Sequence, residues 1–338
     1  LFFSKSDITD RITTFLADAL DAPESLDGPA VFDAIEVQQG ILVERATDTY
    51  SFSHLTLQEY LTALYIVNNQ LVSELVSQHL TDQRWREVFL LVIGLMGRRG
   101  HELLDSIHEQ ALTDINTQSK PSALIQWASR ITQGDTPKYE GYEKQGMALA
   151  IACILARTLT GTLTRSTTIA RAIRITIAIA SGKPSDITIA SGRPCARVIP
   201  KGDGVDVDIA IANGSGSVNV NVNAIAIAID SVIYLNGTQI FNTSTFQELP
   251  NQLKTLKDKM PQLSDPPEQW YSYADELEIT YLNALALTVE DISLSKDEWN
   301  CLSDYFYAND LLLRCQRSSI GISRQAWESL KERLLKVS

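Results

Sequence analysis

The stretch Tyr50-Ser-Phe-Ser-His-Leu-Thr-Leu-Gln-Glu-Tyr-Leu-Thr-Ala-Leu-Tyr-Ile-Val67 constrains this chain more than any other. Its start reads as the end of a β-strand that runs straight into an amphipathic helix. Thr56 and Glu59 have the spacing of a capping box, in which the hydroxyl bonds the third helical N–H and the carboxylate reaches back. Leu57, Leu61, Leu64 and Ile66, with Tyr60 and Tyr65, recur at helical intervals and make one broad apolar face. His54 stands just before that cap. An imidazole there faces whatever approaches the helix N-terminus, where open N–H groups and the positive end of the dipole favour phosphate. A satisfied histidine that merely starts a helix is the plainer reading of the same spacing.

The residues ahead of this stretch complete a unit around it. Ser6 is placed to cap a helix in which Ile8, Ile12, Phe15 or Leu16, and Leu20 recur at helical spacing. Residues 21–28 read as a loop, and Pro29 opens a short helix over 31–37 that Gly40 stops. Residues 41–45 and 49–53 read as strands about a polar turn at 46–48, hence a β-hairpin. Two helices, a hairpin wing and the helix after His54 make a winged helix over residues 1–68. Its basic residues are scattered and form no recognition face, which argues against specific nucleic-acid binding.

The segment Phe52-Ser-His-Leu-Thr-Leu-Gln-Glu-Tyr-Leu-Thr-Ala63 resembles the F-x-H-x-[ST]-x-Q-E-[FY]-x-A-A run that closes the winged helix of NACHT NTPases. These belong to the STAND class of signalling ATPases, which includes bacterial antiviral proteins. Thr62 replaces the first of the family's two alanines, and Ala63 keeps the second. The resemblance implies that His54 contacts the β-phosphate of ADP and helps hold a closed resting state. It further implies a NACHT domain upstream in the same polypeptide, ATP or ADP with Mg bound there, self-association on activation, and an unidentified protein trigger. No G-x-x-x-x-G-K-[ST] and no strand ending in paired acidic residues occurs here, so this chain alone is expected not to hydrolyse ATP. It begins at Leu1 rather than methionine, as a piece whose beginning is missing would.

Composition narrows the alternatives. With 338 residues, 44% of them hydrophobic, the chain can bury substantial cores in two or three domains. A net charge of -12 argues against general nucleic-acid or anionic-membrane binding. Cys153, Cys195, Cys301 and Cys315 lie far apart with no C-x-x-C pair, which suggests neither a zinc site nor a disulfide framework and fits a reducing cytoplasm. The longest strongly apolar run, residues 88–96, is too short to cross a bilayer.

Residues 69–160 read as a helical domain. Arg84-Trp-Arg-Glu-Val-Phe-Leu-Leu91 resembles the helical domain that follows the winged helix in NACHT proteins, with Arg84 and Arg86 at the surface or in ion pairs. Gly97-Arg-Arg-Gly100 lacks the strand and the Gly-Lys-Ser/Thr ending of a phosphate loop. His101 and His108, with Glu102, Asp105 and Glu109, read as a solvated charged face rather than a metal site, because H-x-x-x-H spacing is absent. Helices are expected over 122–132 and 142–158.

From residue 161 to 235 the sequence alternates strictly, as in Val205-Asp-Val-Asp-Ile-Ala-Ile-Ala212, with Gly-rich breaks. This low-complexity segment reads as short strands or a linker. Asp203, Asp206 and Asp208 lack the glutamate that a calcium loop needs. Residues 236–338 return to helix, with a break at 261–267, a second capping box at Ser295 and Glu298, and a Ser323 cap before the last helix. Asp304-Tyr-Phe-Tyr-Ala-Asn-Asp-Leu-Leu-Leu-Arg-Cys315, with Trp327-Glu-Ser-Leu-Lys-Glu-Arg-Leu334, resembles the C-terminal helical module of cyanobacterial NACHT NTPases. Its aromatic stripe is expected in the core rather than as a ligand cage.

The fold expected is mainly α: a winged helix, a helical domain, a low-complexity and possibly β segment, and a C-terminal helical module. The function expected is the regulatory and sensor half of a NACHT-type signalling NTPase, with a role in antiviral defence that rests on the resemblance alone. The alternative is a non-enzymatic helical scaffold without nucleotide. A hydrolase fits poorly, since histidines are few and no Gly-x-Ser-x-Gly elbow occurs.

Overall fold

The computed structural model is mainly helical, with a winged helix at its N-terminal end and helices after it. It describes residues 2–18, 27–134, 139–160, 232–233, 236–237, 239–261 and 265–337. The alternating segments at 175–180, 186–190, 205–212 and 218–230 lie outside the described residues. Two compact units emerge: Leu1–Gly100 with Ser318–Gly321, and His101–Arg317 with Ile322–Ser338.

The first unit opens with β1 (Phe3–Ser4) and α1 (Lys5–Asp18). Ser4, rather than Ser6, caps α1, its Oγ accepting from the Asp7 N–H at 3.1 Å. α2 (Gly28–Asp33) is capped by Asp27, whose Oδ1 accepts from the Ala30 N–H at 2.7 Å. Pro29 fits the first turn because its missing N–H would have no helical partner there. The helix widens into a π turn over Ala34–Gln38, and Gly40 reverses the chain at φ 60°. β2 (Leu42–Ala46) and β3 (Thr49–Phe52) then form the expected wing, pairing Leu42 with Phe52 and Glu44 with Tyr50. β1 adds to the free side of β3, giving the order β1-β3-β2.

Phe32, Leu42 and Tyr50 are the core of this winged helix, and Ile8, Ile12, Ile35, Ile41 and Phe52 pack on it. The rings of Phe32 and Tyr50 meet edge to face at 4.9 Å. At the crossing of α1 and α2, a Cβ on Gly28 would stand 2.1 Å from Thr13 Oγ1 and 2.6 Å from the Thr9 carbonyl oxygen. Only glycine lets the two backbones come this close. α3 (Leu55–Asn68), α4 (Val72–His79) and α5 (Arg86–Met96) complete the unit. α3 packs along α5, burying Ala63 and Ile66 on one side and Val88, Phe89, Val92 and Ile93 on the other. Residues 318–321 join here: Cβ atoms on Gly94 and Gly97 would each lie 3.9 Å from carbonyl oxygens of that segment.

The second unit comprises α6 (Gly100–Asn116), α7 (Ser119–Ile131), α8 (Gly141–Thr160), α9 (Ser244–Asp258), α10 (Pro267–Ala284), α11 (Val289–Ile292), α12 (Lys296–Ser318) and α13 (Arg324–Lys331). α12 is its centre. Leu302, Tyr305, Tyr307, Ala308, Asn309, Asp310, Leu311 and Leu312 are buried in close succession, which covers the helix on more than one face. Ser295 and Glu298 form the expected capping box, with bonds of 2.7 and 3.3 Å, and Ser323 caps α13. A further box at Thr288 and Asp291 starts α11.

Polar links of long sequence range hold this unit together. Trp127 Nε1 donates to the Leu285 carbonyl at 2.7 Å, Lys120 Nζ to the Ser293 carbonyl at 3.0 Å, and Asn242 Nδ2 to the Gln133 carbonyl at 3.0 Å. Residues 101–160 thus belong with the C-terminal helices. The division between the two units falls at Gly100.

Candidate functional site

His54 is the N-cap of α3, in extended backbone at φ -134° and ψ 139°. Three bonds fix its position. The Ser53 N–H donates to the Ile41 carbonyl at 2.8 Å, tying the junction to the foot of the wing. The His54 carbonyl accepts from the N–H groups of Leu57 and Gln58 at 3.2 and 3.4 Å, closing the first helical turn. Its imidazole makes no capping bond and is exposed, as are Leu55 and Thr56 beside it. The first-turn N–H groups therefore meet solvent next to an open ring, at the positive end of a helix 14 residues long. Chemically this arrangement can take an anion: the ring donates one bond and the backbone others.

The expected capping box at Thr56 and Glu59 does not form. The helix begins earlier than that box requires, so His54 takes the N-cap and Thr56 already lies within the first turn. Glu59 turns toward α5 instead, where partial burial, helped by Glu87, raises its carboxyl above the ordinary range. Thr62, the departure from the family's alanine, is accommodated by donating its hydroxyl to the Gln58 carbonyl at 2.8 Å.

α3 carries apolar side chains on more sides than α5 covers. Tyr60 is 42% and Tyr65 62% exposed, Leu55 is exposed beside His54, and Leu57, Leu61 and Leu64 are half-buried. A helix apolar around most of its girth is ordinarily enclosed on both sides.

The other candidates resolve as structure. Arg84 forks onto Asp82 at 2.6 Å and holds that carboxyl down at about 2, while Arg86 meets Glu87 at 3.2 Å. Gly97–Arg99 is a single 3₁₀ turn after α5, with Gly97 at φ 55°. Tyr305 and Tyr307 are core, as the aromatic stripe was expected to be. His101 is exposed, but His108 departs from the solvated face expected of it: it is 3% exposed. Sequence could have found this, because Leu104, His108, Ala111 and Ile115 follow one another at helical spacing, and the other three are buried. Asp203, Asp206 and Asp208 lie outside the described residues.

Family comparison agrees with the motif. Residues 18–66 match the winged helix-turn-helix domain C-terminal to NACHT, and residues 249–337 match the NACHT C-terminal helical domain 2. The first match ends inside α3 and contains His54; the second begins inside α9 and runs through α13. Together they support a C-terminal part of a NACHT-family protein and suggest the regulatory half of a NACHT NTPase. No curated protein and no solved structure matches the chain. No helix among the described residues is long and apolar enough to cross a membrane.

Proposed function

We propose that the chain is the regulatory and sensor half of a NACHT-type signalling NTPase. Its winged helix latches ADP held by a NACHT core upstream on the same polypeptide, and its C-terminal module senses a protein trigger. The observation that carries this reading is the open His54 ring at an uncapped, exposed helix start, within the segment that matches the winged helix C-terminal to NACHT. The exposed Leu55, Tyr60 and Tyr65 suit an apolar neighbour around the phosphate contact.

The mechanism is a two-state switch. His54 lends binding energy to nucleotide only when the winged helix is closed over the core, so ADP draws the population toward closure. A hydrogen bond to a charged group contributes about 1.5–3 kcal/mol. Such a bond moves a closed–open equilibrium about ten- to hundredfold. ATP with Mg in the core would favour the open form, which self-associates. A cytoplasmic antiviral role fits the same scheme.

The test uses the polypeptide that contains the NACHT domain. His54→Ala is expected to self-associate, read by light scattering, without trigger, while the wild type stays monomeric. A mutant that stays monomeric and holds ADP as tightly as wild type would overturn the latch.

A further inference from the structure

The last residues of the second unit are bound to it by a concentration of polar contacts. Arg333 Nη2 donates to Asp105 Oδ1 on α6 at 2.7 Å. Lys331 Nζ pairs with Glu140, ahead of α8, and with Glu328, each at 2.9 Å. On α12, Asn309 Oδ1 accepts from the Leu335 N–H at 3.3 Å, and Tyr305 Oη donates to the Lys336 carbonyl at 3.1 Å. In the amide orientation that satisfies both its ends, Gln145 accepts from Ser129 Oγ and donates to the carbonyls of Leu334 and Leu335 at 3.2 and 3.3 Å. Beneath these bonds Leu330, Leu334 and Leu335 are 2%, 1% and 2% exposed.

Two features make this segment more than an ordinary terminus. Leu335 sits at φ 55°, a left-handed conformation that its side chain resists, so the contacts around it hold the backbone against its preference. His108, one helical turn along α6 from Asp105, is buried and near enough to the Asp105–Arg333 pair to feel both charges.

We propose that residues 330–337 form a releasable strap over α6, α8 and α12, and that protonation of His108 is what loosens it. A proton on His108 places a second cation beside Arg333 and gives Asp105 a competing partner. The strap then loses its anchor to α6, and Leu335 relaxes to ordinary backbone. The charges that act on His108 are those of Arg333 and Asp105; of the other ion pairs of this unit, Lys331 joins Glu140 and Glu328, and Asp310 joins Arg314 at 2.6 Å.

The direction follows from linkage. Burial first, and the Arg333 charge second, hold His108 below the ordinary imidazole value, against a smaller opposite pull from Asp105. The closed strap thus resists the proton while the released one takes it. The hold is complete above about pH 6.5, the ordinary histidine value. It weakens as pH falls below that value, until the pKa of the buried state is reached.

The test is hydrogen exchange of the full chain at about pH 7.5 and about pH 5, corrected for intrinsic rates, on either side of the histidine midpoint. Relative to α12, opening of residues 330–337 is expected to rise up to about tenfold per pH unit in the window. His108→Phe is expected to abolish that rise. Asp105→Asn is expected to open the strap at both pH values and leave α12 protected. Strap and α12 shifting in step with pH, or a pH response that survives in His108→Phe, would overturn the proposal. Should His108→Phe not fold, unchanged strap protection in Asp105→Asn at neutral pH would overturn it as well.

Discussion

Phe32→Ala tests whether one aromatic core carries the winged helix and so fixes His54. Phe32 is 0% exposed, and its ring meets Tyr50, on the strand that leads into His54, edge to face at 4.9 Å. Lys5 Nζ stands 4.9 Å over the same ring. Truncating a buried phenylalanine to alanine costs about 3–5 kcal/mol, from lost transfer energy and the cavity left behind. Phe32→Leu keeps most of the volume. It forfeits the aromatic pair, about 0.5–1.5 kcal/mol beyond burial, and the exposed cation–π contact, about 0.5–1 kcal/mol. The expectation is therefore about 1–2.5 kcal/mol for leucine and about 3–5 kcal/mol for alanine. The assay is urea-dependent hydrogen exchange of peptides covering β2 and β3, which reports this unit by itself. Equal costs for the two variants, or an alanine cost below about 1 kcal/mol, would refute the reasoning, because a fully enclosed ring cannot be removed so lightly.

Two further outcomes follow from close contacts. Trp127→Phe removes the indole N–H from the Leu285 carbonyl across 158 residues of sequence and leaves a buried acceptor unpaired, a loss of about 1–3 kcal/mol. Thermal unfolding of the second unit should report it, and an unchanged melt would contradict the tie between α7 and the C-terminal helices. Gly28→Ala forces a methyl against Thr13 Oγ1 and the Thr9 carbonyl, a clash worth about 1–3 kcal/mol. Gly28→Ala with Thr13→Ala should recover only part of that cost in chemical denaturation, because the backbone oxygen at 2.6 Å remains; full recovery would show that α1 can shift.

Much of the winged helix is legible in sequence because its signals are local. The wing turns where Thr47 and Asp48 interrupt two strands; in the second unit the Ser295 and Ser323 caps are local in the same way, forming within one helical turn of sequence. The misses have physical causes. β1 is two residues long, too short for any period, and its presence moves the α1 cap from Ser6 to Ser4. The Thr56 box fails because the extended backbone through Ser53 and His54, pinned by the Ile41 carbonyl, starts the helix earlier. Apart from these misses, residues 101–160 are tied to the C-terminal helices by contacts such as Lys120 with Ser293, whose partners lie 173 residues apart. No window of sequence contains them. His108 is the instructive case, since its charged neighbours suggested water while its helical neighbours Leu104, Ala111 and Ile115 are buried.

At the candidate site, the sequence offers a candidate residue and the structure supplies its surroundings. The motif marks His54 as the position of interest, and the fold makes it an N-cap whose ring makes no capping bond. The apolar surplus on α3 is visible in the pattern, whereas Tyr60 and Tyr65 emerge as exposed only once α5 is seen to cover one face.

The nucleotide latch is tested most directly by counting bound nucleotide. The polypeptide containing the NACHT domain would be purified as wild type and as His54→Ala, denatured, and its released ADP and ATP quantified per chain. Stoichiometric ADP in wild type, largely lost in His54→Ala with folding unchanged by circular dichroism, is the expected result. ADP retained equally by both proteins, or absent from both, would contradict the latch.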